Sequence, residues 1–141
     1  MNLNFQLVTL GGIVFEQDVY EVVLPTKDGI IAVLARHMPL MTTGAPGIIS
    51  VRRQPGDSDM EHFSTMGGLI ETDGRQLRFL ADEVSSAADS NISEEEASAA
   101  VAEARRLISS AHDQMSLDQA RQLLAHGQVR LQLARLKKRR R

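Results

Sequence analysis

Two hydrophobic periods divide the chain. Up to about Val84, apolar and polar residues alternate in short runs, the period of a strand with one buried face. The predicted strands are Leu3 to Val8, Ile13 to Phe15, Val19 to Leu24, Ile30 to Leu34, Ile48 to Arg53, Met60 to Thr65, Gly68 to Thr72 and Gln76 to Ala81. Gly11-Gly12, Lys27-Asp28-Gly29, Gly44-Ala45-Pro46-Gly47 and Pro55-Gly56-Asp57 punctuate them, because Gly supplies positive φ and Pro presets a turn. Asp73-Gly74 between two such runs predicts a hairpin closed by a two-residue type I′ turn.

From Ser85 the composition shifts to Ala, Ser and Glu, and the period lengthens to that of a helix. Ser93-Glu94-Glu95-Glu96 has the form of a capping box, followed by Ala97, Val101, Ala104, Ile108 and Ala111 on one stripe. His112 to Met115 breaks the pattern. Ser116-Leu117-Asp118-Gln119 predicts a second capping box, and Leu117, Ala120, Leu124, Gly127, Leu131 and Ala134 a second stripe. The expected architecture is a β-sandwich over 1–84, a linker over 85–92 and an antiparallel two-helix hairpin over 93–141. The residues of the two stripes taken together are mostly small, so the helices approach closely but bury little area, and the hairpin is expected to part at modest cost.

Hydrophobic residues make up 43% of the 141 residues, enough for a core and against whole-chain disorder. The absence of Cys excludes disulfides, thiolate zinc sites and a catalytic thiol, and suggests a reducing compartment. Apolar runs such as Ile30 to Ala35 are far shorter than the ~20 residues that span a bilayer, and Met1 to Leu10 does not read as a targeting segment. Charge is uneven: Met1 to Asp89 holds six basic and twelve acidic residues, Ser90 to Arg141 ten basic and six acidic. The basic end calls for an acidic partner, or simply complements a helix C-terminal dipole.

No catalytic motif is present: no nucleophile elbow, P-loop, zinc-protease helix or dinucleotide fingerprint. His37, His62, His112 and His126 are dispersed without metal-ligand spacing, and Glu94 to Glu96 are explained by capping. Met38 and Met41 read as gap-filling apolar residues, and no cofactor is expected.

The stretch Asp28-Gly29-Ile30-Ile31-Ala32-Val33-Leu34-Ala35-Arg36-His37-Met38-Pro39-Leu40-Met41-Thr42, followed by Pro46-Gly47, resembles the signature of the epsilon subunit of bacterial F-type ATP synthase. Gly67-Gly68-Leu69-Ile70-Glu71 and Leu80-Ala81-Asp82 are similar to later motifs of that family, in its order. The resemblance implies a non-catalytic central-stalk subunit, peripheral at the cytoplasmic face of the bacterial inner membrane. Its sandwich would bind the gamma subunit and the c-ring, and its hairpin would either lie folded on the sandwich or extend along gamma into the catalytic head and inhibit ATP hydrolysis. The residues it implies for the gamma and c-ring side are Ile30, Arg36, His37, Met38, Pro39 and Leu40. Those implied to face the beta subunits of the catalytic alpha/beta head are Arg121, Arg130, Arg135, Lys137, Lys138, Arg139, Arg140 and Arg141.

Three departures qualify the resemblance. Ala35-Arg36 stands where the family has Pro-Gly, so the loop is expected to differ in shape, and Ile30 replaces a common acidic residue. Where some members bind ATP through an Ile/Leu-Asp-x-x-Arg-Ala motif, this chain has Ile92-Ser93-Glu94-Glu95-Glu96-Ala97. An anion in place of the phosphate-facing cation reverses the electrostatics, and no nucleotide binding is expected. A nucleic-acid adaptor using the basic helix is the alternative, opposed by the acidic sandwich and the lack of aromatics in the tail. A membrane-surface anchor at Leu136 to Arg141 is opposed by the shortness of that segment.

Overall fold

The computed structural model describes residues 2–88 and 93–139, excepting the side chains of 138 and 139. The strands are β1 (Leu3–Thr9), β2 (Gly12–Val19), β3 (Glu21–Thr26), β4 (Gly29–Leu34), β5 (Leu40–Gly44), β6 (Gly47–Arg52), β7 (Glu61–Thr65), β8 (Gly68–Thr72), β9 (Gln76–Ala81) and β10 (Val84–Ser86), followed by helices α1 (Glu94–Ser110) and α2 (Gln114–Arg139). One ladder, β10-β7-β6-β3-β5-β8-β9-β1-β2 with β4 on β3, folds over at β3. There β3 meets β5 through a single residue pair, Thr26 and Gly44, and the sandwich divides into a β10-β7-β6-β3-β4 layer and a β5-β8-β9-β1-β2 layer. All neighbours are antiparallel except β1 and β9, which run parallel.

Alternation dictates the core. Leu3, Phe5 and Leu7 of β1 point inward with Ile70, Leu77 and Phe79, and meet Val22, Leu24, Ile49, Val51 and Phe63 from the other layer. Phe15 bridges the layers, 5.8 Å from Phe5 and 5.5 Å edge-on to Phe63 between ring centroids.

Several sequence expectations need correction. Strands β5 and β10 lie where none is predicted; β5 is short, follows Pro39 and turns Met41 outward, so it carries little apolar alternation. Strand β2 extends to Val19, which pairs with Leu3, so the break before β3 falls at Tyr20. The β8–β9 turn is not a two-residue type I′ turn. Thr72 pairs with Leu77 and only Gly74 has positive φ, while the Asp73 carboxylate accepts the N–H groups of Arg75 and Gln76, each at 2.9 Å.

Helix α1 is capped by Ser93, whose hydroxyl accepts the Glu96 N–H at 3.1 Å. The expected second box at Ser116 is displaced: α2 starts at Gln114, and Asp113 accepts the Ser116 N–H at 2.7 Å. Ala97, Val101 and Ala104 of α1 and Ala120, Gly127 and Ala134 of α2 are buried at the expected stripe positions. A Cβ on Gly127 would lie 3.1 Å from Val101 Cγ2, a measure of how closely the helices approach. Helix α2 also carries a second stripe that the sequence reading omits, His126, Val129, Leu133 and Leu136. Val129 and His126 border Ser64, Thr65 and Val84, while Leu136 borders Ile48 and Ser50, so this face lies on β6, β7 and β10. Leu133 is buried completely and Val129 nearly so.

Candidate partner-docking surfaces

The outer face of the β5-β8-β9-β1-β2 layer is built by register. Residues directly opposite in neighbouring strands project to the same side, so each cross-strand row has a single chemistry or a mixed one. One row is polar: Glu71 and Arg78 are 3.3 Å apart, Arg78 Nε donates to Gln6 at 2.9 Å, and Gln6 donates to Glu16 at 2.8 Å. A second runs from Gln76 to Asn4 and Asp18. The third row is apolar, linking Leu69, Leu80, Val8 and Ile13 across four strands. Leu80 is 40% exposed and Ile13 58%, and the fully exposed Leu10 extends the patch into the β1–β2 turn. Contiguous apolar surface of this kind on an otherwise charged sheet is a candidate contact face. Sequence reading missed it because Leu69-Ile70 and Phe79-Leu80 are each apolar on both faces; strand pairing is what separates inner from outer.

The residues implied for the gamma and c-ring side fall into two places. Ile30, 78% exposed, is the second residue of β4, and Arg36 lies beyond the strand's other end, six residues on and roughly 20 Å away at ~3.3 Å per residue. Ile30 joins Pro25, Pro46, Ile48, Arg135 and Leu136 around an apolar groove of about 530 Å³ between sandwich and α2. Arg36 to Pro39 instead lie against the β8–β9 turn, where the Arg36 N–H donates to the Gly74 carbonyl at 2.8 Å. Met38 (75% exposed) and Pro39 project outward, whereas His37 is half-buried with Nδ1 2.7 Å from the Met38 carbonyl oxygen. Leu40 is half-buried as the first residue of β5, paired with Thr72, and so belongs to a strand.

The expected change in loop shape at Ala35-Arg36 takes a specific form. Arg36 itself adopts φ 68°, the left-handed conformation that a glycine holds without steric penalty. The neighbouring cleft, about 510 Å³, is lined by Pro39, Leu40, Met41, Glu71, Asp73 and Arg78 among others. The N–H groups of Gln76 and then Arg75 hold the Asp73 carboxyl below its ordinary value, so it is charged near neutrality.

On the hairpin, Arg121 and Arg130 are exposed, and Arg135 Nε is 3.1 Å from Glu94 Oε1 of α1. Lys137 is half-buried, and Lys138 and Arg139 close α2. Arg140, Arg141 and Ile92, the last belonging to the compared nucleotide motif, lie outside the described residues. Among the described residues no group of His, Asp and Glu could hold a metal. Ser50 and His62, opposite in the β6–β7 register, share a 2.9 Å hydrogen bond beneath α2. The family-like Gly67-Gly68 pair is architectural, since a Cβ on Gly68 would fall 2.0 Å from the Leu80 carbonyl oxygen. No helix is long and apolar enough to cross a membrane among the described residues.

A two-layer sandwich with a helical hairpin laid on one layer defines a two-part, sandwich-and-hairpin class of protein. Residues 2–87 match the family model for the ATP synthase delta/epsilon chain, β-sandwich domain. The ATP synthase epsilon chain of Chloroflexus aggregans is 33% identical over 98% of this chain and 96% of its own. That of Gloeobacter violaceus is 29% identical over 95% and 98% respectively. Among solved structures, a chain of the Euglena gracilis mitochondrial ATP synthase superposes with a TM-score of 0.79 at 22% identity, over 96% of this chain and 81% of that one, showing a shared fold. The chain belongs to the epsilon-chain family of F-type ATP synthases and is a non-catalytic component of that complex. The nucleic-acid alternative finds no support in these relationships.

Proposed function

We propose that the sandwich joins the gamma subunit to the c-ring in the rotating stalk, peripheral at the cytoplasmic face of the bacterial inner membrane. The apolar row Leu69, Leu80, Val8 and Ile13 supports this most directly, as a surface whose burial requires a partner. Gamma would cover this row. The separate sites at Ile30 and at Arg36 to Pro39 would take the further contacts with gamma and the c-ring. Replacing Leu80 and Ile13 by Glu together should leave the isolated subunit folded, because both are outward-facing, and abolish its co-purification with gamma. Retention of the double variant at wild-type stoichiometry overturns the assignment of the row.

The hairpin is the regulatory element in this reading. Released from β6 and β7, a straight helix from Leu117 to Arg135 would be roughly 28 Å long at ~1.5 Å per residue, long enough to enter the catalytic head. Its cations would there meet acidic surfaces of the beta subunits. Truncation after Ser116 should leave the complex assembled and raise its ATP hydrolysis. Equal hydrolysis by intact and truncated complexes removes the inhibitory role.

A further inference from the structure

We propose that Glu94 and Arg135 form a salt-sensitive clasp that keeps the hairpin shut and withholds Arg135 from any other acidic surface. This rests on the regulatory reading of the hairpin given above. The pair spans the two helices, with Arg135 Nε donating to Glu94 Oε1 at 3.1 Å. Both side chains are partly exposed, so the contact forms and breaks in solvent.

Its position is what gives it leverage. The helices are joined at Ala111 to Asp113, and Val101 packs on Gly127 midway along the seam. Glu94 is the first residue of α1 and Arg135 lies in the last turns of α2, at the open mouth of the hairpin. Parting the helices about the 111–113 connection moves the mouth farthest, so a contact there breaks first. The fully buried part of the seam is Ala, Gly and Val101, flanked by half-buried Ile108, Leu117, Leu124 and Leu131, so each contact along it contributes modestly. Arg135 also borders the groove beneath α2 with Leu136 and Ile48, so the clasp sits beside the end of the helix that lies on the sandwich. In the closed state Glu94 fills the role that an acidic partner surface would fill in the open one.

An exposed ion pair shifts such an equilibrium by about twofold to fivefold and weakens as salt screens it. The test uses the full-length chain, which contains no native Cys, carrying Ala134→Cys as a buried reporter beside the clasp. The readout is the rate of labelling by N-ethylmaleimide. Glu94→Gln and Arg135→Gln should each accelerate labelling about twofold to fivefold at low ionic strength, the gain vanishing near ~0.5 M salt. Glu95→Gln, which removes a charge from the same helix turn, should label at the parental rate. The exchange of Glu94→Arg with Arg135→Glu should restore slow labelling. Parental rates in Glu94→Gln, equal acceleration by Glu95→Gln, or failure of the exchanged pair overturns the clasp. In the assembled synthase, Glu94→Gln should lower ATP hydrolysis; faster labelling with unchanged hydrolysis supports the clasp and overturns the inhibitory function.

Discussion

The two halves of this protein solve the packing problem with opposite materials. All four phenylalanines lie in the sandwich, buried with Leu, Ile and Val from both layers. The seam between α1 and α2 buries Ala97, Val101, Ala104, Ala120 and Ala134 and closes on Gly127. A buried Phe or Leu contributes about 1.5–3 kcal/mol, whereas an Ala contributes a fraction of that. The sandwich is therefore a fixed platform, and the seam can separate at low cost. Val129 and Leu133 hold α2 to β6 and β7, so the hairpin docks on the platform through few side chains. A movable element docked on a rigid one requires the platform to be the stronger of the two.

The largest test of the ranking is Phe79→Ala. The Phe79 ring lies so close to Gly44 that a Cβ there would fall 2.6 Å from it, so truncation opens a cavity at the junction of the layers. A loss of about 3–5 kcal/mol is expected, a large part of the stability of a domain this size. Urea unfolding followed by circular dichroism should show the sheet transition moving to much lower denaturant. Leu133→Ala should cost less, about 2–3 kcal/mol, and only in the docking of α2. The sheet transition should stay in place while the helical signal is lost earlier; a joint shift of both would show that sandwich and hairpin fold as one unit.

How far the sequence revealed this arrangement depended on how unambiguous each local pattern was. Runs bounded by Gly and Pro, such as Ile48 to Arg53, were readable as strands because punctuation and alternation agreed. Strand β5 was hidden by its composition: Met41 and Thr43 face outward and Leu40, Thr42 and Gly44 inward, so neither face is consistently apolar or polar. On α2, one stripe was legible and the other was not, because Val129 and Leu133 fall on a different face from Ala120 and Gly127. Only the presence of the sandwich shows that this second face has somewhere to go. For the candidate surfaces, family resemblance indicated the Arg36 loop and Ile30. The apolar row needed the register, since neighbouring Leu and Ile residues on one strand do not declare which of them is inside.

A smaller effect sharpens the comparison at the start of α2. Hydrogen bonds from the Ser116 N–H and then its hydroxyl hold the Asp113 carboxyl below its ordinary value. A carboxylate with a depressed folded-state pKa adds stability above the unfolded value, near 3.9, and loses it as pH falls through the lower folded one. Acidification below about pH 4 should therefore fray the first turn of α2, seen as faster amide exchange at Ser116 and Leu117. Asp113→Asn, which keeps a capping oxygen but cannot ionise, should remove this group's pH step. A step of the same size in that variant would assign it to another group.

The smallest expected change returns to the platform and should leave the hairpin untouched. Arg36 adopts φ 68° while its N–H is held by Gly74 and the following N–H by Leu34, so the surrounding bonds impose the conformation. A side chain in that region costs about 1–2 kcal/mol, and glycine gives back about 0.5–1 kcal/mol through its freer unfolded chain. Arg36→Gly should thus stabilise the sandwich by about 0.5 kcal/mol, a small upward shift of the urea midpoint. Arg36→Ala retains the Cβ and the strain, and should leave the midpoint near that of the parent. If the two variants shift alike, the guanidinium rather than the backbone is responsible, and the loop is not strained. A gain confined to Arg36→Gly, with thiol labelling at Ala134→Cys unchanged, would show that the loop next to the β8–β9 turn carries strain that the mobile hairpin does not share.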